Sequence, residues 1–301
     1  MGTDIKGAMN RRTFLKAAGV ASTSLALGGC QIPSGDDLKA LVQSHFAEMS
    51  PDEIKAVRQR LLRQYKKKYG RDFVLGTEQP IPDVLFAYGL DLSRCIGCRR
   101  CVYACVEENN QSRRPQIQWI RVLLLKKGTM NLEESDHYYD AGLMPREGYY
   151  TIPVQCQQCE NPPCVKVCPT RATWQDDDGI VVVDYDWCIG CRYCMAACPY
   201  WARRFNYAEP EIPIDEMNPN LHYLGNRPRM RGVVEKCTFC VQRTRKGRYP
   251  ACVEVCPVGA RKFGNILDPE SEISKVIENQ RVFRLKEELN TQPRFYYFFS
   301  I

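Results

Sequence analysis

The chain has 301 residues, a formal net charge of +7 and 17 cysteines. This length allows one large domain or two small ones, and no apolar run reaches the roughly 18 residues that a membrane-spanning helix needs. The cysteine content is high enough that metal binding, disulfide bonds or both must account for it.

The N-terminal residues 1–29 have the pattern of an export signal. The paired arginines Arg11 and Arg12 lie in a segment that resembles the twin-arginine signal, and a mild apolar stretch follows from Ala17 to Leu27. A charged N-terminus that leads into a short helix is the alternative. The twin-arginine route exports proteins that are already folded, so clusters could be inserted in the reducing cytoplasm before export. The signal predicts a protein in the periplasm or on the outer face of the cytoplasmic membrane.

The signal ends in a sequence, Leu27 to Cys30, that resembles a bacterial lipobox. This resemblance predicts that Cys30 is lipidated and begins the mature chain. Cleavage near Gly29, with Cys30 incidental, is the alternative. A single acyl chain binds a membrane only weakly, whereas two or more anchor a protein stably. Lipidated Cys30 would therefore attach the protein to a membrane without a spanning helix.

A helical extension is predicted over residues 30–79. Apolar residues at helical spacing predict a first helix over residues 37–49. Ser50 and Glu53 have the spacing of a capping box and predict a second helix that runs to about Tyr69. The polar face of this second helix is rich in lysine and arginine, which fits either a solvated surface or a docking arm for a partner.

The remaining 16 cysteines lie in the third predicted segment, residues 80–301, in four groups of four. Group one is Cys95, Cys98, Cys101 and Cys105; group two is Cys156, Cys159, Cys164 and Cys168; group three is Cys188, Cys191, Cys194 and Cys198; group four is Cys237, Cys240, Cys252 and Cys256. Groups one and three have the spacing of bacterial ferredoxins, in which three thiolates bind one iron–sulfur cluster and the fourth binds its neighbour. Groups two and four have a longer gap before the third cysteine.

Short strands, tight turns and short helices are predicted around these groups. Residues 86–92 and 117–125 read as strands, and an acidic turn at residues 177–179 separates two further strand-like segments. Helical segments are predicted over residues 99–108 and 193–197. The predicted fold is α+β: a duplicated, bacterial ferredoxin-like unit with short strands and helices, preceded by the helical extension.

Glycine and proline recur at fixed places in the cysteine groups. Gly97 and Gly190 precede the second cysteine of groups one and three, where glycine lets the backbone pass close to a cluster. Three groups end in Cys-Pro, which stops the local turn from continuing as a helix. Group one ends Cys105-Val106 instead, and this departure is expected to change local shape more than ligation.

Structural zinc and disulfide bonds are the alternative uses of these cysteines. Cys237 and Cys240, followed by Cys252, resemble a zinc knuckle in isolation. Zinc knuckles, however, do not normally have the close three-cysteine spacing of groups one and three. Disulfide scaffolds are usually chains of under about 80 residues. Both alternatives therefore explain the pattern less well than iron–sulfur clusters do.

Cluster ligation also changes the charge balance of the protein. Residues 30–301 carry 38 basic and 34 acidic residues, a net charge of +4. Four oxidised clusters with their thiolates would bring this to about −4, so basic patches are expected to offset cluster charge and no nucleic-acid partner is predicted. Six basic residues lie beside ligands and are candidates for raising cluster potentials, although a single residue of this kind is more often a surface ion-pair former: Arg94, Arg99, Arg192, Arg203, Lys236 and Arg243.

The same part of the chain resembles the four-cluster iron–sulfur subunits of the dimethyl sulfoxide reductase family of molybdoenzymes and of related polysulfide reductase-type quinone complexes. The resemblance runs from about residue 85 to the C-terminus. Its matching segments are residues 92–98, 161–164, 187–194, 198–203, 250–257 and 292–297.

The resemblance implies four ligand sets in which paired groups exchange their fourth cysteine. The first set is Cys95, Cys98, Cys101 and Cys256; the second is Cys237, Cys240, Cys252 and Cys105; the third is Cys156, Cys159, Cys164 and Cys198; the fourth is Cys188, Cys191, Cys194 and Cys168. Because no ligand cysteine is missing, the resemblance implies four [4Fe-4S] clusters.

The function implied is one-electron transfer between an integral membrane quinone-reactive subunit and a molybdopterin-containing catalytic subunit. A multihaem cytochrome is the alternative to the catalytic subunit, and a zinc-stabilised scaffold is the non-redox alternative. The chain has no nucleophile motif or dinucleotide-binding loop, so no catalytic residue is predicted. His45, His137 and His222 lie outside the cysteine groups and are given no role.

Overall fold

The computed structural model describes residues 43–300. The predicted export signal, Cys30 and residues 37–42 of the helix predicted over residues 37–49 lie outside the described residues. The chain divides into two compact units, one up to Val57 and one from Arg58 onward. The boundaries at residues 29 and 79 stay predictions.

The second predicted helix is confirmed as helix α1 (Pro51–Tyr69). It begins with the predicted capping box, because Ser50 N donates to Glu53 Oε2 at 2.8 Å and Glu53 N donates to Ser50 Oγ at 3.4 Å. The helix is followed by Gly70, whose φ of +66° is typical of the residue after a helix end.

The first predicted helix is not continuous in the part that the structure describes. Between residues 43 and 49 only the 3₁₀ turn Phe46–Glu48 is helical. His45 begins that turn by accepting a hydrogen bond from the amide of Ala47, and Pro51 disfavours helical backbone in the residue before it. The prediction of one continuous helix that reaches residue 49 is therefore wrong for residues 43–49.

A three-stranded sheet forms the centre of the unit that begins at Arg58. Its middle strand is β2 (Phe86–Asp91), which pairs in antiparallel fashion with β10 (Arg261–Asn265) and in parallel with the C-terminal β11 (Phe295–Phe298). Every residue of β2 is buried. The predicted strand over residues 86–92 is confirmed, and the two ends of the cysteine-rich region meet in one sheet.

The other strands form four two-stranded sheets. They are β1 (Val74–Gly76) with β8 (Asn220–His222), β3 (Arg121–Lys126) with β4 (Tyr149–Val154), β5 (Thr173–Gln175) with β6 (Val181–Val183), and β7 (Arg204–Phe205) with β9 (Val234–Glu235). The β5–β6 pair is the predicted acidic hairpin, and Gly179 in its turn has a φ of +78°. The strand predicted over residues 117–125 begins later, at Arg121.

Short helices lie next to the cysteines. They are α2 (Arg100–Glu108), α3 (Pro163–Lys166), α4 (Tyr193–Ala196), α5 (Val241–Thr244), α6 (Ala251–Glu254) and the more distant α7 (Glu272–Asn279). Only α2 continues past the last cysteine of its group, because Cys105 is followed by valine where the other groups have proline. The mixed α+β fold predicted from the sequence is confirmed.

Within residues 43–300, no helix combines the length and the apolar character that crossing a membrane would require.

Candidate metal centre

The first cavity of interest is lined by all four cysteines of the first set: Cys95, Cys98, Cys101 and Cys256. Together with the solvent at its open side, it has about 360 Å³ of space not filled by protein atoms. Cys256 reaches this cavity from group four, about 150 residues along the chain from group one, because β10 places the end of group four beside β2. Burial raises the pKa of Cys101 to about 11, with Arg261 opposing the shift.

A second cavity is lined by all four cysteines of the third set: Cys156, Cys159, Cys164 and Cys198. Its unfilled space, including the solvent at its open side, is about 340 Å³. Burial, and then the neighbouring charge of Cys156, raises the pKa of Cys159 to about 12. Cys198 belongs to group three by sequence, so in the structure it lies among cysteines of a different group.

The second set is completely buried. Burial, and then the neighbouring charges of Cys237, Cys240 and Cys252, raise the pKa of Cys105 well above its usual value. Asn109 Nδ2 lies 3.6 Å from Cys105 Sγ and 3.5 Å from Cys240 Sγ. The structure therefore places the last cysteine of group one beside the first three cysteines of group four.

Among the four sets, only the fourth contains an exposed cysteine. Burial, followed by the charges of Cys188, Cys164 and Cys168, raises the pKa of Cys194 to about 11, and Arg203 opposes the shift. Cys194 is buried and Cys191 is exposed. Cys168 of group two is thus a neighbour of group three, reciprocal to the position of Cys198.

The four sets follow one another in a row. In each gap a cysteine of one set lies close enough to a cysteine of the next for its negative charge to raise the pKa of the neighbour. The first set adjoins the second, the second adjoins the third, and the third adjoins the fourth. The pairs across the gaps are Cys101 with Cys252, Cys237 with Cys156, and Cys194 with Cys164.

The loops of groups one and three have the same backbone conformation. Gly97 and Arg99 in group one have φ values of +69° and +58°, and Gly190 and Arg192 in group three have +76° and +66°. Left-handed residues in such turns direct successive backbone N–H groups into a concave surface that favours anions. An iron–sulfur core with its thiolates is an anion, so the loop conformation suits it.

The two loop glycines are required for a reason that the sequence did not indicate. A Cβ on Gly97 would lie 2.8 Å from Thr151 Cγ2, and a Cβ on Gly190 would collide with the carbonyl oxygen of Gly232. The space that glycine leaves is thus occupied by neighbouring protein segments. The positive φ of both residues adds a second requirement for glycine.

Amide and hydroxyl donors point at several of the sulfurs. Gln111 Nε2 lies 3.1 Å from Cys105 Sγ, Thr151 Oγ1 lies 3.4 Å from Cys95 Sγ, and the backbone N of Phe239 lies 3.4 Å from Cys237 Sγ. Hydrogen bonds to sulfur stabilise the thiolate form and tune an iron–sulfur cluster. Thiol-only sets with such donors fit [4Fe-4S] clusters.

The described part of the chain, residues 43–300, has no group of three or more His, Cys, Asp or Glu side chains that converge on a point where one metal ion could bind. A cubane cluster binds each of its four cysteines through a different iron atom, so its ligands surround a volume. The cavities of the first and third sets have this arrangement.

The six basic residues predicted to lie beside ligands have three kinds of surroundings. Arg94 and Arg243 face carboxylates, at 3.8 Å from Asp91 and 2.9 Å from Glu108 respectively. Arg99 and Arg192 lie over aromatic rings, those of Tyr139 and of Phe205 with Tyr207. Only Arg203 and Lys236 are buried, with 3% and 1% of their surface exposed.

Sequence reasoning missed Arg261, which donates to Cys101 Sγ at 3.2 Å and is 3% exposed. A signal for it was present. Arg203 and Arg261 each stand five residues after the last cysteine of a group, in the repeated pattern Cys-Pro-x-x-Ala-Arg. Comparison of groups three and four beyond their cysteines would have found this pattern.

Comparison with known proteins matches the same part of the chain. Two family profiles, both described as a 4Fe-4S dicluster domain, match residues 94–172 and residues 148–213 with 222–266. The chain is similar to a protein of Halobacterium salinarum provisionally named as a dimethyl sulfoxide reductase iron–sulfur subunit, with 46% identity over 213 residues that cover 70% of this chain and 78% of that protein.

Two further relatives differ in how much of the chain they match. A selenate reductase subunit of Mesobacillus selenatarsenatis is 36% identical over 308 residues, covering 96% of both chains. An iron–sulfur subunit of the Hdr-like menaquinol oxidoreductase of Archaeoglobus fulgidus is 41% identical over 239 residues, covering 70% of this chain and 82% of that protein. The similarity to the selenate reductase subunit therefore includes the region predicted as the helical extension.

Proposed function

The chain belongs to the iron–sulfur electron-transfer subunits of the dimethyl sulfoxide reductase family, and from that premise we propose that it binds four [4Fe-4S] clusters and relays electrons between two partner subunits. The ligands would be the four cysteine sets, each with three cysteines from one group and one from another. Each bound cluster supplies a site that accepts and releases one electron.

The observation that carries this proposal is the row of four sets with a buried middle and open ends. All four cysteines of the second set are buried, as are three of the third set, whereas Cys95, Cys98 and Cys256 are half-buried and Cys191 is exposed. The protein therefore excludes water from the middle of the row and leaves its two ends accessible. Such an arrangement suits electron exchange with one partner at each end.

The partners follow from the family and from the relatives. We propose an integral membrane quinone-reactive subunit for one end, which the name of the menaquinol oxidoreductase relative supports. For the other end we propose a molybdopterin-containing catalytic subunit, which the names of the dimethyl sulfoxide and selenate reductase relatives support. The substrate would be reduced or oxidised in that catalytic subunit.

We propose further that the protein works on the outer side of the cytoplasmic membrane. The support is the twin-arginine pattern around Arg11 and Arg12 and the lipobox that ends at Cys30. Cys30→Ala should release the exported protein from the membrane in cells that lack the partner subunits, as measured by fractionation. Retention of the C30A protein on the membrane in those cells would contradict lipid attachment.

The proposed relay is tested by isolating the native complex without oxygen. We expect a brown protein with about sixteen iron atoms per chain, paramagnetic signals after reduction with dithionite, and co-purification of a molybdopterin subunit. A multihaem partner in its place would replace the catalytic subunit in the proposal. A colourless protein that contains zinc would end it.

A further inference from the structure

Three buried basic side chains lie between the cysteine sets, and we trace each to one gap in the row. They are Arg261, Lys236 and Arg203, with 3%, 1% and 3% of their surface exposed. Within residues 43–300 the structure shows no carboxylate paired with any of the three; their donors go to sulfur, hydroxyl, amide and carbonyl acceptors.

Arg261 lies in the gap between the first and second sets. Its guanidinium donates to Cys101 Sγ of the first set at 3.2 Å and to Tyr88 OH at 2.8 Å. That hydroxyl lies 3.3 Å from Cys252 Sγ of the second set. Gln155 Oε1, at 3.1 Å, accepts a further bond from Arg261. The side chain is therefore fixed between ligands of two sets.

Arg203 lies in the equivalent gap between the third and fourth sets. Its Nη2 donates to Cys164 Sγ of the third set at 3.0 Å and to Thr173 Oγ1 at 3.0 Å. Cys194 of the fourth set is also among its nearest negative charges. Its Nε is buried and has no hydrogen-bond partner among the described residues, and Arg203 lines the cavity of the third set.

Lys236 lies in the remaining gap, between the second and third sets. Its ammonium donates to the carbonyl oxygens of Cys237, at 2.8 Å, and of Val181. Cys237 belongs to the second set, and Val181 lines the cavity of the third. Cys156 of the third set is an electrostatic neighbour of Cys237. The gap between the second and third sets thus also contains one buried cation.

Burying three cations without carboxylates is costly unless other negative charge is close. Two consecutive clusters with their thiolates supply that charge, about −4 per gap in the oxidised state. Each reduction adds one more negative charge, which makes reduction of the next cluster harder. A cation between the two lowers this cost, because opposite charges attract strongly in a poorly polarisable interior.

This inference rests on the proposed four-cluster relay. We propose that the buried positive charges of Arg261, Lys236 and Arg203 each raise the reduction potentials of the two clusters on either side of one gap. The Cys-Pro-x-x-Ala-Arg repeat supplies Arg261, between the first and second sets, and Arg203, between the third and fourth. Lys236, directly before group four, supplies the cation between the second and third sets. The three together keep the row reducible along its whole length.

The test is an anaerobic redox titration of the full chain followed by electron paramagnetic resonance. Arg261→Gln, Lys236→Gln and Arg203→Gln should each lower the equilibrium constant for reducing the two flanking clusters by about tenfold, which is 59 mV for one electron. The two clusters away from the altered gap should change less than twofold. Arg203→Lys and Arg261→Lys keep the charge and should stay within threefold of the unaltered protein.

The control is Lys262→Gln, in the residue next to Arg261 on strand β10. Lys262 pairs with Glu272 at 2.7 Å and is half-buried, so removing its charge should leave all four potentials unchanged. An Arg203→Gln protein with full iron content and unshifted potentials would overturn the proposal. So would a uniform shift of all four clusters.

A glutamine variant that fails to hold its clusters leaves the lysine variants as the deciding measurement. A tenfold loss in Arg203→Lys or Arg261→Lys, with charge retained and iron content full, would assign the effect to hydrogen bonding and refute a role for charge. Failure of the relay itself is seen separately: the unaltered protein would then lack four reducible clusters before any variant is made.

Discussion

The inner and outer cysteine sets differ in both loop length and burial. The outer sets, first and fourth, use the short ferredoxin loops of groups one and three, and their cysteines are largely half-buried or exposed. The inner sets, second and third, use the longer loops of groups four and two, and seven of their eight cysteines are buried. Additional residues in the loop therefore accompany additional protection of the set.

The extra residues of the inner loops tie those loops to the rest of the fold. In group two, Glu160 N and Asn161 N donate to the carbonyl oxygens of Gln292 and Thr291, near the C-terminus. In group four, Arg245 donates to Asp178 Oδ2 at 2.8 Å, on the hairpin turn. The short outer loops leave their sets open, whereas these contacts close the inner ones.

The largest effect is expected when one cysteine of an inner set and one cysteine of an outer set are replaced, each in its own variant. Cys198→Ser should remove the cluster of the third set, although Cys198 belongs by sequence to group three, and Cys168→Ser should remove that of the fourth set. Each variant should lose about four of sixteen iron atoms. Because the third set is the more buried, Cys198→Ser should also lower the thermal stability more.

Electron paramagnetic resonance after stepwise reduction identifies which cluster is lost in each variant. A third variant in group three gives the comparison. Cys194→Ser should damage the fourth-set cluster, as Cys168→Ser does, although Cys194 and Cys198 belong to the same group. Loss of the fourth-set cluster in Cys198→Ser, with the third retained, would contradict the exchange of cysteines between groups.

A smaller effect is expected at the two outer loops themselves, where they differ from each other. Gly97→Ala and Gly190→Ala both place a Cβ at positive φ, at a cost of about 1–2 kcal/mol. The Cβ at residue 190 also meets the backbone carbonyl of Gly232, whereas that at residue 97 meets a side-chain methyl, that of Thr151, at the longer distance of 2.8 Å. The total loss in free energy of unfolding should be about 3 kcal/mol for Gly190→Ala and nearer 2 for Gly97→Ala.

Thermal unfolding of the cluster-loaded protein measures this difference. Gly232→Ala is a suitable control, because it has a φ of +87° but a Cβ there would meet nothing within 4 Å. It should therefore show the conformational cost alone. Equal destabilisation by Gly190→Ala and Gly232→Ala would show that the close approach to the Gly232 carbonyl has no energetic consequence.

Much of the fold could be predicted because cysteine spacing and turn residues are local signals. The helix that ends at Tyr69, the strand at Phe86 and the acidic hairpin each depend on neighbours in sequence. The pairing of β2 with both β10 and β11 could not be read from periodicity, since these strands lie about 175 and 210 residues further along the chain. Such pairings depend on tertiary packing.

The site shows the same limit. The sequence identifies all 16 cysteines, but the partners of their sulfurs come from distant segments. Gln111 and Thr151 donate to sulfurs, yet neither stands in a cysteine group. Arg261 lies in a strand that carries no cysteine, and its role depends on how that strand packs against Tyr88. The burial that separates Arg203 from the exposed Arg192 is likewise a tertiary property.

The smallest effect concerns these sulfur hydrogen bonds, and it again contrasts an inner with an outer set. Gln111→Leu removes the donor to Cys105 of the second set, at 3.1 Å, and Thr151→Val removes the donor to Cys95 of the first set, at 3.4 Å. A hydrogen bond is worth about 1 kcal/mol, equivalent to about 40 mV for one electron. Both variants should lower the reduction potential of their cluster, by about 40 mV for Gln111→Leu and by half of that or less for Thr151→Val.

The inner set should respond more because its sulfur is shielded from water, which could otherwise replace the lost donor. Gln111 Oε1 also accepts a hydrogen bond from the backbone N of Trp119 at 3.0 Å. Gln111→Leu should therefore lower the stability of the fold as well, and thermal unfolding must be measured beside the reduction potential. The two readouts are separable, because a loose core lowers the unfolding temperature without a shift confined to one cluster. A shift in Thr151→Val as large as that in Gln111→Leu would mean that burial does not set the strength of these bonds, and the contrast between inner and outer sets would then be one of access alone.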